Sequence, residues 1–222
     1  MQRRWIALFL AIVLCACGCS VRTSTIPQSQ AVLVDPGHGG PDGGAVAEDG
    51  TLEKDINLAI SLYLRDFLAV SGVPVAITRE SDMSLHSEDA VTIREKKISD
   101  LHHRLALYEQ SALVISIHQN RFEQPQYRGA QVFYSDNNAD SAPLSQALQN
   151  SIIKHLQPDN KREVKAASDN VFLMYHTTVP AVLVECGFLS NPQELALLKD
   201  DGYRREIAWA ILIGYWNYSS EK

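Results

Sequence analysis

The stretch VLVDPGHGG, from Val32 to Gly40, joins a short apolar run to a glycine-rich loop that contains one histidine. The apolar run predicts a buried strand, and Asp35 to Gly37 end it. His38 is therefore expected in a tight loop at the carboxyl end of a strand, where open α/β sheets commonly bind ligands. The stretch alone is equally compatible with a flexible loop that carries an incidental histidine.

Strands and helices alternate along the rest of the chain. Short apolar runs predict strands, and apolar residues at helical spacing predict helices between them. The predicted strands are residues 32–34, 75–77, 113–117, 129–134 and 181–184, and the predicted helices lie within 56–68, 98–108, 144–156 and 207–218. The alternating pattern of the fourth strand favours a place at the sheet edge. We therefore expect an α/β fold, with a single domain, a mostly parallel central sheet and helices on both faces.

The N-terminal segment has the features of an export signal. Arg3 and Arg4 precede an apolar run and a group of small residues, which predicts a signal peptide over residues 1–19. The sequence around Cys17 resembles a bacterial lipobox, so Cys17 is the expected lipidation site, with Cys19 and a short uncleaved anchor as alternatives. Residues 20–30 are predicted to be a linker, and 31–222 the folded domain. Any membrane attachment is expected only through the N-terminus.

Cysteine content and charge argue against a disulfide-stabilised domain and against a nucleic-acid-binding protein. Cys186 is the one cysteine of the predicted domain, so an internal disulfide is excluded. The chain carries a net charge of −6 and has no basic stripe with interleaved aromatic residues. Nucleic-acid binding is therefore not expected.

Four polar residues are predicted to converge at one edge of the sheet. His38, His118 and Glu185 each follow a predicted strand, and Glu53 lies in the first turn of the helix after the His38 loop. Two imidazoles and a carboxylate form the ligand set of catalytic zinc sites, where water takes the fourth position. A second carboxylate can transfer protons during amide hydrolysis. The spacing leaves open which glutamate is the ligand and which is the base.

Four motifs, in order, resemble one family. The segments VDPGHGGPDGGA, LEKDINL, SIHQN and VPAVLVECGFLSNPQE are similar to those of the type 3 family of zinc-dependent N-acetylmuramoyl-L-alanine amidases. The resemblance covers nearly all of the chain from Val32 onward. It implies a zinc cofactor, a peptidoglycan substrate and hydrolysis of the amide bond between the lactyl group of muramic acid and L-alanine.

The resemblance also implies individual roles. The zinc ligands of the family fall on His38, Glu53 and His118, and its catalytic glutamate falls on Glu185. Asn120 matches a polar position near the site and is expected to contact substrate.

The segments GHGGPDGGAV, LEKD and TRESD most resemble the sporulation and germination members of the family. They imply action on the spore cortex before muramic δ-lactam forms. The expected location is the cell envelope, at the outer face of the cytoplasmic membrane or in the forespore intermembrane space. Some relatives work with a lipoprotein partner, so such a partner remains open. The short interval between His118 and Glu185 predicts that no autoinhibitory helix is inserted there.

Two alternative functions remain, one with a different substrate and one without catalysis. The same site could belong to a zinc peptidase that cuts within the stem peptide, or to a wall-binding module that has lost catalysis.

Among the other polar residues, Asp35 could accept a hydrogen bond from a zinc-bound imidazole or only begin the turn. Asp42 is expected in a turn, Arg79 in an exposed ion pair, and His176 in a solvated loop or lining the cleft. Cys186 is expected to be buried and to point away from the metal.

Overall fold

The computed structural model describes residues 28–221. The predicted signal peptide, the candidate lipidation residue Cys17 and most of the predicted linker lie outside these residues. Gln28–Gln30 forms a short 3-10 helix before the first strand. None of the helices in residues 28–221 combines the length and the apolar character needed to cross a membrane.

Strands and helices alternate in the described part of the chain, as predicted. The strands are β1 (Val32–Pro36), β2 (Val75–Ile77), β3 (Leu113–Asn120), β4 (Gln131–Tyr134), β5 (Lys165–Ala166) and β6 (Ala181–Phe188). The helices are α1 (Glu53–Val70), α2 (Ile93–Tyr108), α3 (Ser141–His155), α4 (Phe172–His176), α5 (Pro192–Lys199) and α6 (Asp201–Ser220).

The strands form one sheet in the order β2-β1-β3-β6-β4-β5. All neighbouring strands in it are parallel except β4 and β6, which are antiparallel. The predicted mostly parallel α/β fold is therefore confirmed. The prediction that the fourth strand forms the edge is wrong, because β5 pairs with its outer side. β5 has two exposed residues and no apolar run, so the sequence pattern contains no sign of it.

Helices cover both faces of the sheet. Alternate strand residues point to opposite faces, and two apolar cores result. Val34, Ile115 and Val184 pack with α1, α3 and α6 on one face, which we call the three-helix face. Leu33, Val114 and Leu183 pack with residues of α2 and α4 on the other, which we call the α2 face.

A buried carboxylate, Asp35, joins β1 to its neighbours on the α2 face. It pairs with Arg104 of α2 and accepts hydrogen bonds from the hydroxyls of Tyr108 (2.5 Å), Thr78 (2.7 Å) and Ser116 (3.0 Å). Burial alone would raise the pKa of Asp35, but the Arg104 charge and the hydrogen bonds hold it at about 2. Asp35 is therefore a charged group at the base of the His38 loop.

Arg104 connects this buried pair to the loop itself. Its guanidinium donates to the carbonyl oxygens of Pro36 (2.9 Å) and His38 (2.7 Å), and to the carboxylate of Asp100 (2.6 Å). Arg104 thus helps to fix the conformation of the loop that carries His38.

Arg79 holds the same loop through a second set of hydrogen bonds. It donates to the carbonyl oxygens of Pro36 (3.1 Å), Gly37 (3.0 Å) and Lys54 (2.9 Å). The expectation that Arg79 forms an exposed ion pair is wrong, since only 2% of the residue is exposed. Its guanidinium donates to main-chain carbonyls at the end of β1 and the start of α1, and a sequence pattern does not reveal such partners.

Replacing Arg104 with methionine should destabilise the domain by about 3–5 kcal/mol, because Asp35 would remain buried without its partner. Urea unfolding at neutral pH measures this change. Arg94→Met on the same helix is the matched control, since Arg94 is exposed and should change stability by less than about 0.5 kcal/mol. Equal losses in the two variants would contradict the importance of the buried pair.

Candidate metal centre and active site

Three side chains meet at the carboxyl end of the sheet. His38 follows β1, His118 lies near the end of β3, and Glu53 is the first residue of α1. Their candidate ligand atoms all lie within 4.8 Å of one another. Nε2 of His38 lies 3.3 Å from Oε2 of Glu53, and Nδ1 of His118 lies 3.0 Å from Oε1. Each carboxylate oxygen therefore faces one imidazole.

His38 adopts an unusual backbone conformation. Its φ of 62° lies in the left-handed region, which costs a residue other than glycine about 1–3 kcal/mol. The bond from Arg104 to its carbonyl oxygen holds this conformation, and Oδ2 of Asp42 lies 3.0 Å from Nδ1 of the ring. Burial alone would lower the pKa of His38, but the hydrogen bonds to Asp42 and Glu53 raise it to about 9.

Asp42 therefore has two functions in the loop. As predicted, it lies in a turn, where its Oδ1 accepts from the main-chain amide of Gly44 at 3.2 Å. Its other oxygen fixes the imidazole of His38, which leaves Nε2 directed at Glu53. A carboxylate behind a metal-binding imidazole is a frequent arrangement, and it orients the ring. Asp35, the other candidate for this position, bonds to Arg104 and to hydroxyl groups instead.

Glu53 is buried and strongly hydrogen-bonded. Its Oε2 accepts from the amide of Ala45 (2.8 Å), and its Oε1 accepts from the amide of Gln119 (3.1 Å) and the side chain of Asn57 (3.2 Å). Burial alone would raise the pKa of Glu53, but the hydrogen bonds from the two imidazoles hold it far below its usual value. Glu53 is therefore an anion, which is the form that binds a metal.

Two glycines provide the space for these groups. A Cβ on Gly37 would lie 2.3 Å from the ring of His118. A Cβ on Gly44, whose φ is 68°, would lie 2.6 Å from Oε2 of Glu53 and 2.7 Å from the ring of His38. The glycines of the first motif thus allow the ring and carboxylate to lie against the main chain.

Glu185 lies beside this cluster on β6, directly opposite His118 in the parallel pair of β3 and β6. Its Oε2 is shielded from solvent and has no hydrogen-bond partner in residues 28–221. Burial, with a further contribution from the negative charge of Glu53, raises the pKa of Glu185 to about 8. This carboxyl group can therefore take up and release a proton near neutral pH.

The cluster fits a zinc ion. Imidazole nitrogens and carboxylate oxygens are zinc donors, and three protein ligands are typical of catalytic sites. The Oε2 of Glu185, which has no hydrogen-bond partner within residues 28–221, lies beside these donors as a group that can react. Cys186 does not compete, because its side chain is buried in the core of the three-helix face, as predicted. Burial also raises the pKa of its thiol, which keeps it protonated.

Two other candidate residues, Asn120 and His176, are not members of the cluster. Asn120 ends β3 beyond an irregularity in its pairing with β6, and its carbonyl oxygen accepts from the amide of Leu189. Its half-buried side chain makes no hydrogen bond within the described chain, so its contact with substrate stays a prediction. His176 ends α4, where it is exposed and its ring lies 4.4 Å from that of Phe172.

Comparison with known proteins places this arrangement in a family. A family model described as N-acetylmuramoyl-L-alanine amidase matches residues 32–215. The germination-specific N-acetylmuramoyl-L-alanine amidase of Bacillus subtilis (strain 168) is 36% identical over 201 residues, which cover 89% of this chain and 84% of that protein. The amidase AmiA of Escherichia coli (strain K12) is 29% identical over 229 residues, covering 84% and 75%.

A solved structure agrees with both sequence comparisons. The CwlD amidase from Clostridioides difficile, determined in complex with the GerS lipoprotein, is 43% identical to this chain with a TM-score of 0.84. The similarity covers 87% of this chain and all of that one. The predicted resemblance, including that to sporulation members, is confirmed. The chain therefore belongs to the type 3 N-acetylmuramoyl-L-alanine amidase family.

Proposed function

We propose that this protein is a zinc-dependent amidase that hydrolyses the bond between the lactyl group of N-acetylmuramic acid and L-alanine in peptidoglycan. The observation that carries the proposal is the cluster of His38, Glu53 and His118 beside Glu185, whose shielded Oε2 has no hydrogen-bond partner within residues 28–221. Family membership supplies the substrate class.

His38, Glu53 and His118 would hold the zinc. When bound, zinc polarises a carbonyl group and lowers the pKa of a coordinated water to about 7. The negative charge of Glu53 balances part of the charge of the ion, and Asp42 holds the ring of His38 in the orientation that binds it.

Glu185 is the proton carrier. Its free Oε2 can accept a proton from the attacking water and then donate that proton to the amine of L-alanine as the amide bond breaks. A pKa near the working pH suits both transfers, because the group must accept and release a proton in each cycle. Burial provides that pKa.

Glu185→Gln should retain about one zinc per chain yet lose roughly 100-fold or more of its activity, since the proton carrier is absent. Metal analysis, with mass spectrometry of digested muropeptides, measures both. Glu123→Gln, at an exposed position in the loop after β3, is the matched control and should stay active.

Release of intact stem peptide beginning with L-alanine supports the amidase. Shorter fragments would instead indicate the alternative, a peptidase cutting within the stem peptide. A wild-type protein that binds no zinc would contradict the proposed metal centre.

Asp42→Asn should weaken zinc binding by about 10–100-fold, because the carboxylate that orients His38 is lost. Competition with a chromophoric chelator measures the affinity. Asp49→Asn is the matched control, since Asp49 lies in the same loop but pairs with Lys199 at the surface. Unchanged affinity in the Asp42 variant would show that the ring needs no such support.

The biological role we propose is maturation of the spore cortex, before muramic δ-lactam forms. Similarity to a germination-specific amidase and to CwlD supports it. The protein would act outside the cytoplasmic membrane, held only by its N-terminal segment with Cys17 as the candidate lipidated residue. Since the CwlD structure contains a lipoprotein, we also propose a lipoprotein partner here.

Spores that lack the gene should contain no muramic δ-lactam, because the stem peptide would remain on the muramic acid that forms it. Muropeptide analysis of the purified cortex measures this directly, with the wild-type gene restored as the control. Normal amounts of δ-lactam would refute the cortex role and leave the enzymatic activity unaffected.

A further inference from the structure

Arg162 is hydrogen-bonded to the strand next to Glu185 and has no role in the site described above. Gln131 of β4 lies directly opposite Glu185 of β6 in an antiparallel pair. Opposite residues in such pairs point to the same face, with Cβ atoms about 5 Å apart. Oε1 of the buried Gln131 accepts from Nη1 of Arg162 at 3.0 Å. The guanidinium of Arg162 is therefore connected to the face of the sheet that carries Glu185.

Arg162 is rigidly held but incompletely paired. Its Nε donates to the carbonyl oxygen of Arg128 at 2.8 Å, and its Cζ lies 4.6 Å from the ring centre of Phe188. Its Nη2 has no acceptor within the part of the chain that the structure describes. The charge of Arg162 acts on the carboxylate of Glu194, which accepts hydrogen bonds from two main-chain amides and lies beyond ion-pair distance of Arg162. A fixed guanidinium with free donors is suited to a carboxylate, since less side-chain entropy is lost on binding.

The neighbouring surface is apolar. Phe188 contacts the rings of Phe122 and Tyr127, which also meet edge to face at 5.1 Å. Phe122 and Tyr127 are 43% and 41% exposed, and Phe188 pairs with Asn120 at the end of β3. Phe188 itself is fully buried, so the exposed aromatic surface consists of Phe122 and Tyr127, and Phe188 connects these rings to Arg162.

On the basis of the proposed function, we propose that Arg162 binds the free carboxylate of the acidic residue that follows L-alanine in the stem peptide. That residue, D-glutamate, is linked through its side-chain carboxyl group, so its α-carboxylate is free. It lies one residue beyond the bond that is cut, and Arg162 is bonded to Gln131, which lies one strand beyond Glu185. Arg162 is thus a specificity-determining residue and does not contact the reacting atoms.

Arg121 is a rival cation in the loop after β3. It follows Asn120 directly, but it is exposed and makes no hydrogen bond or ion pair within residues 28–221. Ordering such a free side chain costs up to about 2 kcal/mol. Arg162 has already been ordered by the fold, so we assign the carboxylate to it.

The test compares two disaccharide muropeptides that differ at one group, with D-glutamate or D-isoglutamine as the second residue. The carboxylate is replaced by a carboxamide of the same shape. The zinc-loaded wild-type protein should favour the carboxylate by roughly 10- to 100-fold in kcat/KM, mainly through KM, as expected for a charged hydrogen bond. Arg162→Gln should lose this preference, and Arg162→Lys should keep part of it.

Arg121→Gln is the matched control and should keep the wild-type preference. A purely structural role of Arg162 would lower the rates on both substrates equally and leave their ratio unchanged, which would overturn the proposal. Equal wild-type rates on both substrates, or loss of the preference in the Arg121 variant, would also overturn it while the amidase function stands. Hydrolysis of neither substrate by the zinc-loaded wild type would overturn the proposed function and this inference together.

Discussion

The buried pair of Asp35 and Arg104 is the interaction on which the site depends. Asp35 contacts residues of β3 and α2 and the segment after β2, and Arg104 carries the connection to the carbonyl oxygen of His38. Removing two charges from water is costly unless every lone pair and proton is satisfied. Here the surrounding hydroxyls and main-chain carbonyls satisfy them. The pair therefore specifies one loop conformation, including the left-handed backbone of His38, rather than adding stability by charge alone.

Glu53 and Glu185 have the same side chain but opposite electrostatic environments. Glu53 accepts hydrogen bonds from main-chain amides and faces two imidazoles, so its anion is stabilised. The Oε2 of Glu185 is shielded from solvent and has no donor within the described chain, and the negative charge of Glu53 acts against its ionisation. Environments that push two pKa values apart separate a metal ligand from a proton carrier. This distinction supports the roles that the family resemblance implied and that spacing alone left open.

The sequence predicted the convergence of His38, His118 and Glu185 because it depends only on parallel strands having their carboxyl ends at one edge. It underestimated the strands themselves. β3 and β6 extend beyond the predicted ends, to Asn120 and Phe188, because polar site residues interrupt their apolar runs. Short elements such as α4 and β5 carry too few residues to show a periodic pattern. The burial of Arg79 was not predicted because its partners are main-chain carbonyls, which leave no pattern in the sequence. The turn at Asp42 was predicted, but its bond to the ring of His38 depends on the left-handed backbone of that residue.

The layering of the domain explains how a compact enzyme can act on a polymer. Within the described chain, the helices between His118 and Glu185 are α3 and α4. α3 packs with α6 on the three-helix face, and α4 packs with α2. The core that fills the three-helix face therefore stabilises the sheet without occupying the edge where the candidate metal ligands meet. In the loop after β3, Phe122 and Tyr127 remain exposed. A substrate with a peptide and a glycan on opposite sides of the cleaved bond needs such an open edge. An open site surrounds its substrate less completely, so specificity depends on side chains that the fold already holds in place, which is the role proposed for Arg162.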